Sequence, residues 1–144
     1  MEVKIKKLHK DAVVPVYATD GSGAFDLFCT NQSSVLPTGY FQTGLSFEIP
    51  KGYTLLLFSR SGHGFSKDIR LANCVGVIDS DYRGELKIKL TNDGVHHQVF
   101  KVGDRIAQGI VIETPRVTFN LVEELSSTER GEGGFGSTDK KCIP

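Results

Sequence analysis

The chain has 144 residues, with 17 lysines and arginines against 17 aspartates and glutamates, a formal net charge of zero. A length near that of one domain can bury a core of its own without disulfides or metal. The even charge excludes a broad duplex-nucleic-acid footprint, which needs a basic excess, but leaves room for a small anionic ligand held by a few placed arginines.

The opening MEVKIKKLHK has basic residues with no apolar run behind them, so no signal peptide or other targeting segment is expected. Val3 and Ile5 alternate with lysines and predict a first strand. After the turn signal Asp20-Gly21-Ser22-Gly23 comes Gly23-Ala24-Phe25-Asp26-Leu27, in which an aspartate sits between apolar neighbours. Aspartate is rarely buried alone, so a pairing arginine is expected for Asp26. Beyond Pro37-Thr38-Gly39, the residues Leu45, Phe47 and Ile49 alternate with polar partners. Leu55 to Phe58 is the longest unbroken apolar run, only four residues, so no segment is expected to span a membrane.

Ser59-Arg60-Ser61-Gly62 then places an arginine and two hydroxyls at a strand end, where one short helix can run from Ser61 through about Phe65 to Ile69. The stretch GVIDSDYRGELKIKL, Gly76 to Leu90, is the most unusual part of the chain. A turn needs only glycine or asparagine, yet this one carries Asp79, Asp81 and Tyr82, so it reads as a site as well as a turn. Strict alternation resumes at Leu86, Ile88 and Leu90, and again at Val117, Phe119 and Leu121. Many short strands separated by turn signals predict an all-β fold, a sandwich, jelly roll or barrel, with at most one short helix.

From Ser126 the composition changes. SSTERGEGGFGSTDKKCIP holds two large apolar residues, Phe135 and Ile143, in 19, too few for a core. The expected division is a β domain over 1–125 and a glycine-rich arm over 126–144. Gly131 to Gly136 matches G-x-G-x-x-G, but only eight residues follow Gly136, so neither a dinucleotide fold nor a kinase loop can be built around it. Its peptide groups can still cradle an anion, with Arg130, Ser137 and Thr138 beside them, and Phe135 needs a surface to dock on.

Cys29, Cys74 and Cys142 lie far apart and have no zinc spacing, so they are read as free thiols of a reducing compartment, cytoplasmic or nuclear. The four histidines carry no assigned role; on a strand, His96 and His97 would face opposite ways.

Taken in order, GAFDL, SRSG, NCVGVIDSDYRG, GDRIAQ and RGEGGFGST resemble the five motifs of the homotrimeric dUTPase family. The match runs from about Gly21 to Thr138. One departure is Ser59, where the family usually has proline. The resemblance implies a jelly-roll enzyme of three chains, each site built at subunit boundaries. With Mg²⁺ it would hydrolyse dUTP to dUMP and pyrophosphate, keeping uracil out of DNA and supplying dUMP for thymidylate synthesis. It has no expected nucleic-acid or membrane partner.

By the same resemblance, the third motif forms a hairpin in which the backbone of Gly76, Val77 and Ile78, with the Asn73 side chain, meets the uracil edge. Tyr82 would lie on the deoxyribose and exclude UTP. Asp79 would hold the 3′-hydroxyl and the attacking water. Asp81 would pair with Arg83 or with an arginine of another chain. Lys87 joins the substrate-binding set, and Arg60, Ser61, Gly62 and Gln108 would hold the phosphate chain. From the arm, Arg130, Gly136, Ser137 and Thr138 would close on the γ-phosphate while Phe135 stacks on uracil. No direct protein ligand to the metal is implied; Asp26 would touch it through water, with Arg105 as a support.

Overall fold

The computed structural model describes residues 1–137. Period-two alternation becomes short strands: β1 (Lys4–Lys7), β2 (Val16–Tyr17), β3 (Phe25–Phe28), β4 (Ser33–Val35), β5 (Thr38–Gln42), β6 (Leu45–Glu48) and β7 (Tyr53–Phe58). The one helix among the described residues, α1 (Ser61–Lys67), follows, then β8 (Ile69–Leu71), β9 (Gly76–Ile78), β10 (Lys87–Asn92), β11 (Gln98–Phe100) and β12 (Arg105–Glu113). A five-stranded sheet has the order β2-β3-β12-β7-β9 and a three-stranded sheet the order β5-β10-β8, with β1-β6 and β11-β4 as separate pairs. The all-β expectation holds.

The alternation puts one face of each strand into a single core. Leu27, Leu55, Leu57 and Ile106 from the five-stranded sheet join Phe41, Leu71, Ile88 and Leu90 from the three-stranded one. Burying each such side chain contributes about 1.5–3 kcal/mol, enough for a disulfide-free domain. Phe100 closes one end, with its ring edge-on to Phe41 at 5.5 Å and to His63 at 5.0 Å.

Three local expectations are corrected. The helix stops at Lys67, because Asp68 turns left-handed at φ 55° and its carbonyl accepts the Asp93 N–H, so Ile69 opens a strand instead. His96 and His97 lie in the loop between β10 and β11. The alternating Val117, Phe119 and Leu121 form no strand: the last strand ends at Glu113, and these three are 67%, 91% and 99% exposed. Alternation selects a pleated, half-buried surface, but it needs a neighbouring strand and a covering layer, and the described residues of this chain supply neither.

Candidate active site

The stretch from Gly76 to Leu90 is not a paired hairpin. Its first arm, β9, pairs with β7 at the end of the five-stranded sheet, and its second, β10, belongs to the three-stranded sheet. The two arms therefore part. Among the described residues β9 has no strand on its outer edge, and β10 runs past the end of β8 at Lys87 and Ile88. Between them opens a cavity of about 410 Å³ lined by Asn73, Gly76, Val77, Ile78, Lys87 and Ile88, among others. Peptide N–H and C=O groups that no ladder uses are obligatory hydrogen-bonding groups, and here they flank a cleft. Such edges suit a flat ligand with donors and acceptors along one side.

A second cavity, about 230 Å³, shares Val77, Ile78 and Lys87 and adds Asp79, Tyr82 and Glu85. The turn between the arms is tight: Tyr82 N–H donates to the Asp79 carbonyl at 3.2 Å. The Tyr82 hydroxyl donates to the Glu85 carbonyl at 3.0 Å, which fixes the ring beside Asp79. Arg83 does not pair with Asp81. Its guanidinium donates instead to the carbonyls of Ser80 (2.7 Å) and Tyr82 (3.1 Å), bracing the turn from outside. A local carbonyl pair within reach of a long side chain outcompetes an exposed carboxylate, whose ion pair is worth little in water.

A charged cluster stands elsewhere in the chain. Asp26 on β3 accepts from Arg60 Nε at 2.9 Å through one oxygen and holds Arg105 Nε at 2.9 Å with the other. Its side chain is 10% exposed, so the expected arginine partner is in fact two. Register explains the meeting: Gln108 of β12 lies opposite both Asp26 and Phe58, and its side-chain amide donates to the Ser59 carbonyl at 2.8 Å. Arg105 also rests over the Phe28 ring at 5.5 Å. A cavity of about 250 Å³ borders Arg60, His63, Lys67 and Arg105. Each arginine binds Asp26 through Nε, and its terminal nitrogens are the part of the fork that takes planar anions. Ser61 and Gly62, at the start of α1, are exposed next to this cluster.

Inside one chain Asp79 and Arg60 are far apart. Ile78 is opposite Leu55, which puts Asp79 near Thr54 at one end of β7; Arg60 follows Phe58 at the other. From Thr54 to Phe58 alone the strand rises about 13 Å. The structure thus gathers Asn73, Gly76, Val77, Ile78, Asp79, Tyr82 and Lys87 around one cleft. It gathers Arg60 and Gln108 around Asp26; the Gly76 end of the cleft, opposite Leu57, lies toward this cluster, and the Asp79 end lies away from it.

Among the described residues, no hydrogen bond or ion pair joins the arm to either. Arg130 donates through Nε to the Gly133 carbonyl at 2.7 Å, and Ser137 N–H donates to the Gly134 carbonyl, so the glycine turn closes on itself. Phe135 is fully exposed, and Gly136 is exposed. Thr138 and Cys142 lie outside the described residues.

The sequence profile described as dUTPase matches residues 10–139. The chain belongs to the dUTPase family. It is 41% identical over 140 residues to a deoxyuridine 5'-triphosphate nucleotidohydrolase of Helicobacter pylori, covering 96% of this chain and 97% of the relative. The Nautilia profundicola enzyme of the same name is 43% identical over 142 residues, covering 97% and 100%. Among solved structures, a Staphylococcus bacteriophage 80alpha dUTPase with dUpNHpp superposes at TM-score 0.85 with 26% identity, covering 95% of this chain and 98% of that one. A phage phi11 dUTPase, described with a structural Mg(II) ion, shares the fold at TM-score 0.80 and 21% identity, covering 88% and 100%.

Some residues beside these cavities carry no motif signal. Glu85 seats the turn, its carboxylate accepting the Gly44 N–H at 2.9 Å. Tyr53, Lys51 and Arg116 share a cavity of about 610 Å³ with Asp79. They reach it through the β7–β12 ladder, which pairs Tyr53 with Glu113, and only tertiary pairing reveals that. His63, 6% exposed against Phe100, has its pKa lowered to about 4 by burial and by Arg60 and Lys67.

No three His, Cys, Asp or Glu side chains converge on a metal position among the described residues. Both Asp26 oxygens are engaged by arginines, yet a carboxylate oxygen keeps a second lone pair that a metal-bound water can use. The donor set therefore fits a hydrated Mg²⁺ held mainly by phosphate, the usual habit of that ion.

Proposed function

We propose that the protein hydrolyses dUTP to dUMP and pyrophosphate through water attack at the α-phosphorus. The observation carrying this reading is the cleft between the free edges of β9 and β10, with Asp79 and Tyr82 at its turn. Peptide groups of Gly76, Val77 and Ile78, with Asn73, read the uracil edge. Cytosine would leave donors and acceptors unpaired there, at about 1–3 kcal/mol each. Tyr82 lies against the deoxyribose and crowds a 2′-hydroxyl, while Lys87 contributes from β10.

Asp79 accepts a proton from the attacking water and orients it in line with the leaving pyrophosphate. Phosphoryl transfer asks mainly for positioning and charge, so the remaining residues grip phosphate. Arg60, Ser61, Gly62 and Gln108 hold the chain, with Arg60 aimed by Asp26. Arg130, Gly136, Ser137 and Thr138 of an arm close on the γ-phosphate, Phe135 covers uracil, and closure excludes bulk water. Bound Mg²⁺ would neutralise triphosphate charge, with Asp26 meeting one of its waters.

The separation of Asp79 from Arg60 along β7 supports a homotrimer in which one chain's cleft faces another's arginine cluster. The exposed Val117–Leu121 stripe and the undocked Phe135 support the same assembly. The test is pyrophosphate release from dUTP, UTP and the four common deoxynucleoside triphosphates, with and without Mg²⁺. Release from dUTP alone, raised by Mg²⁺, is expected; equal release from dCTP or dTTP would overturn the reading.

A further inference from the structure

We propose that Gly84 is a positioning residue that sets how closely the Tyr82 ring lies against the sugar. The inference rests on the reading of Tyr82 given above. Gly84 does not have a positive φ, so its backbone conformation does not itself require glycine. A Cβ added there would meet Tyr82 first on every count: it would overlap the hydroxyl and lie 2.5 Å from Cζ and 2.9 Å from Cε2. The ring is folded down over the bare backbone of residue 84, and its hydroxyl is tied to the Glu85 carbonyl just beyond.

The backbone beneath the ring cannot yield easily. The Arg83 carbonyl accepts from Ser46 Oγ at 2.7 Å, the Glu85 carboxylate accepts from Gly44 N–H at 2.9 Å, and Leu86 N–H donates to the Leu45 carbonyl at 2.8 Å. The ring can yield, because Tyr82 is 45% exposed. Carbon atoms settle at about 3.5–4.0 Å, so a methyl at position 84 would drive the ring off its seat by about an ångström and break its hydroxyl bond. Displacement of an exposed ring leaves the core untouched and moves one wall of the cavity beside Asp79 and Lys87.

The experiment compares wild type, Gly84→Ala, Tyr82→Ala and the double variant, each assayed as the full chain with dUTP and with UTP. Gly84→Ala is expected to melt close to wild type. Its KM for dUTP rises, and its preference for dUTP over UTP falls about tenfold, the low end of what one steric group in a pocket discriminates. In the Tyr82→Ala background, which has room for the methyl, the same change is expected to do nothing further. Wild-type KM and preference in Gly84→Ala would overturn the proposal, as would an equal loss from the methyl in both backgrounds. An unchanged dUTP preference in Tyr82→Ala would instead remove Tyr82 as the sugar wall, and the role of Gly84 with it.

Discussion

Asp26 accepts a 2.9 Å hydrogen bond from Arg60 Nε across the β3–β12–β7 ladder, and its second oxygen holds Arg105. One carboxylate thus sets the aim of two guanidinium groups. Asp26→Asn offers one acceptor where two are used and turns an NH₂ toward the other arginine. Both arginines are partly exposed, so the stability loss is expected to be about 1–3 kcal/mol, below that of a fully buried pair. Turnover of dUTP should fall at least tenfold, mainly through weaker phosphate binding. Urea midpoints and steady-state kinetics check both, and unchanged KM would place Arg60 away from phosphate.

Asp79→Asn keeps the size of the side chain but removes its ability to take a proton. The expected result is near-normal binding of a non-hydrolysable dUTP analogue with turnover reduced about 10²–10⁴-fold, the usual worth of a general base. Titration calorimetry and pyrophosphate release separate the two effects. Turnover within a few-fold of wild type would remove Asp79 from its role.

Two changes near the C-terminus should have different consequences. Phe119 is 91% exposed in the single chain, so Phe119→Asp costs the monomer fold little but should shift the protein from trimer to monomer on size-exclusion chromatography with light scattering. Deletion of residues 130–144 leaves that stripe in place and should keep the trimer while abolishing most turnover. A trimeric Phe119→Asp protein, or an active truncated one, would contradict the respective assignment.

His63 predicts a stability loss on the acid side of neutrality. The folded chain keeps it neutral down to about pH 4, whereas the unfolded chain takes its proton near the ordinary 6.5. As pH falls through that window the unfolded state binds the extra proton, so folding becomes less favourable. Arg60 and Lys67 reinforce the neutral form; Asp104 and Asp26 oppose it. Between pH 7 and pH 5 the loss should be about 1–2 kcal/mol, and His63→Gln should flatten that part of the urea-midpoint profile. An identical slope in the variant would assign it to other groups.

The strands were legible where alternation and burial concern the same chain. Leu86, Ile88 and Leu90 are 2%, 3% and 1% exposed, as their spacing requires. The same spacing at Val117, Phe119 and Leu121 states that one face wants cover but cannot state whose surface supplies it. The parting of β9 from β10 was equally hidden, since a hairpin and a split ribbon have the same local sequence. So was the second arginine on Asp26, because Arg105 reaches it only through the β3–β12 register. The motifs named the candidate residues one by one; that Asp79 and Arg60 lie toward opposite ends of β7 came from the ladder alone.

The split between β9 and β10 bears on how this chain can change over generations. Recognition through main-chain atoms is blind to most codon changes, since replacing the 61%-exposed Val77 leaves its amide and carbonyl in place. On the function proposed above, base choice in such a pocket drifts little under point mutation; an insertion, a deletion or a proline in the ribbon is what would rewrite it.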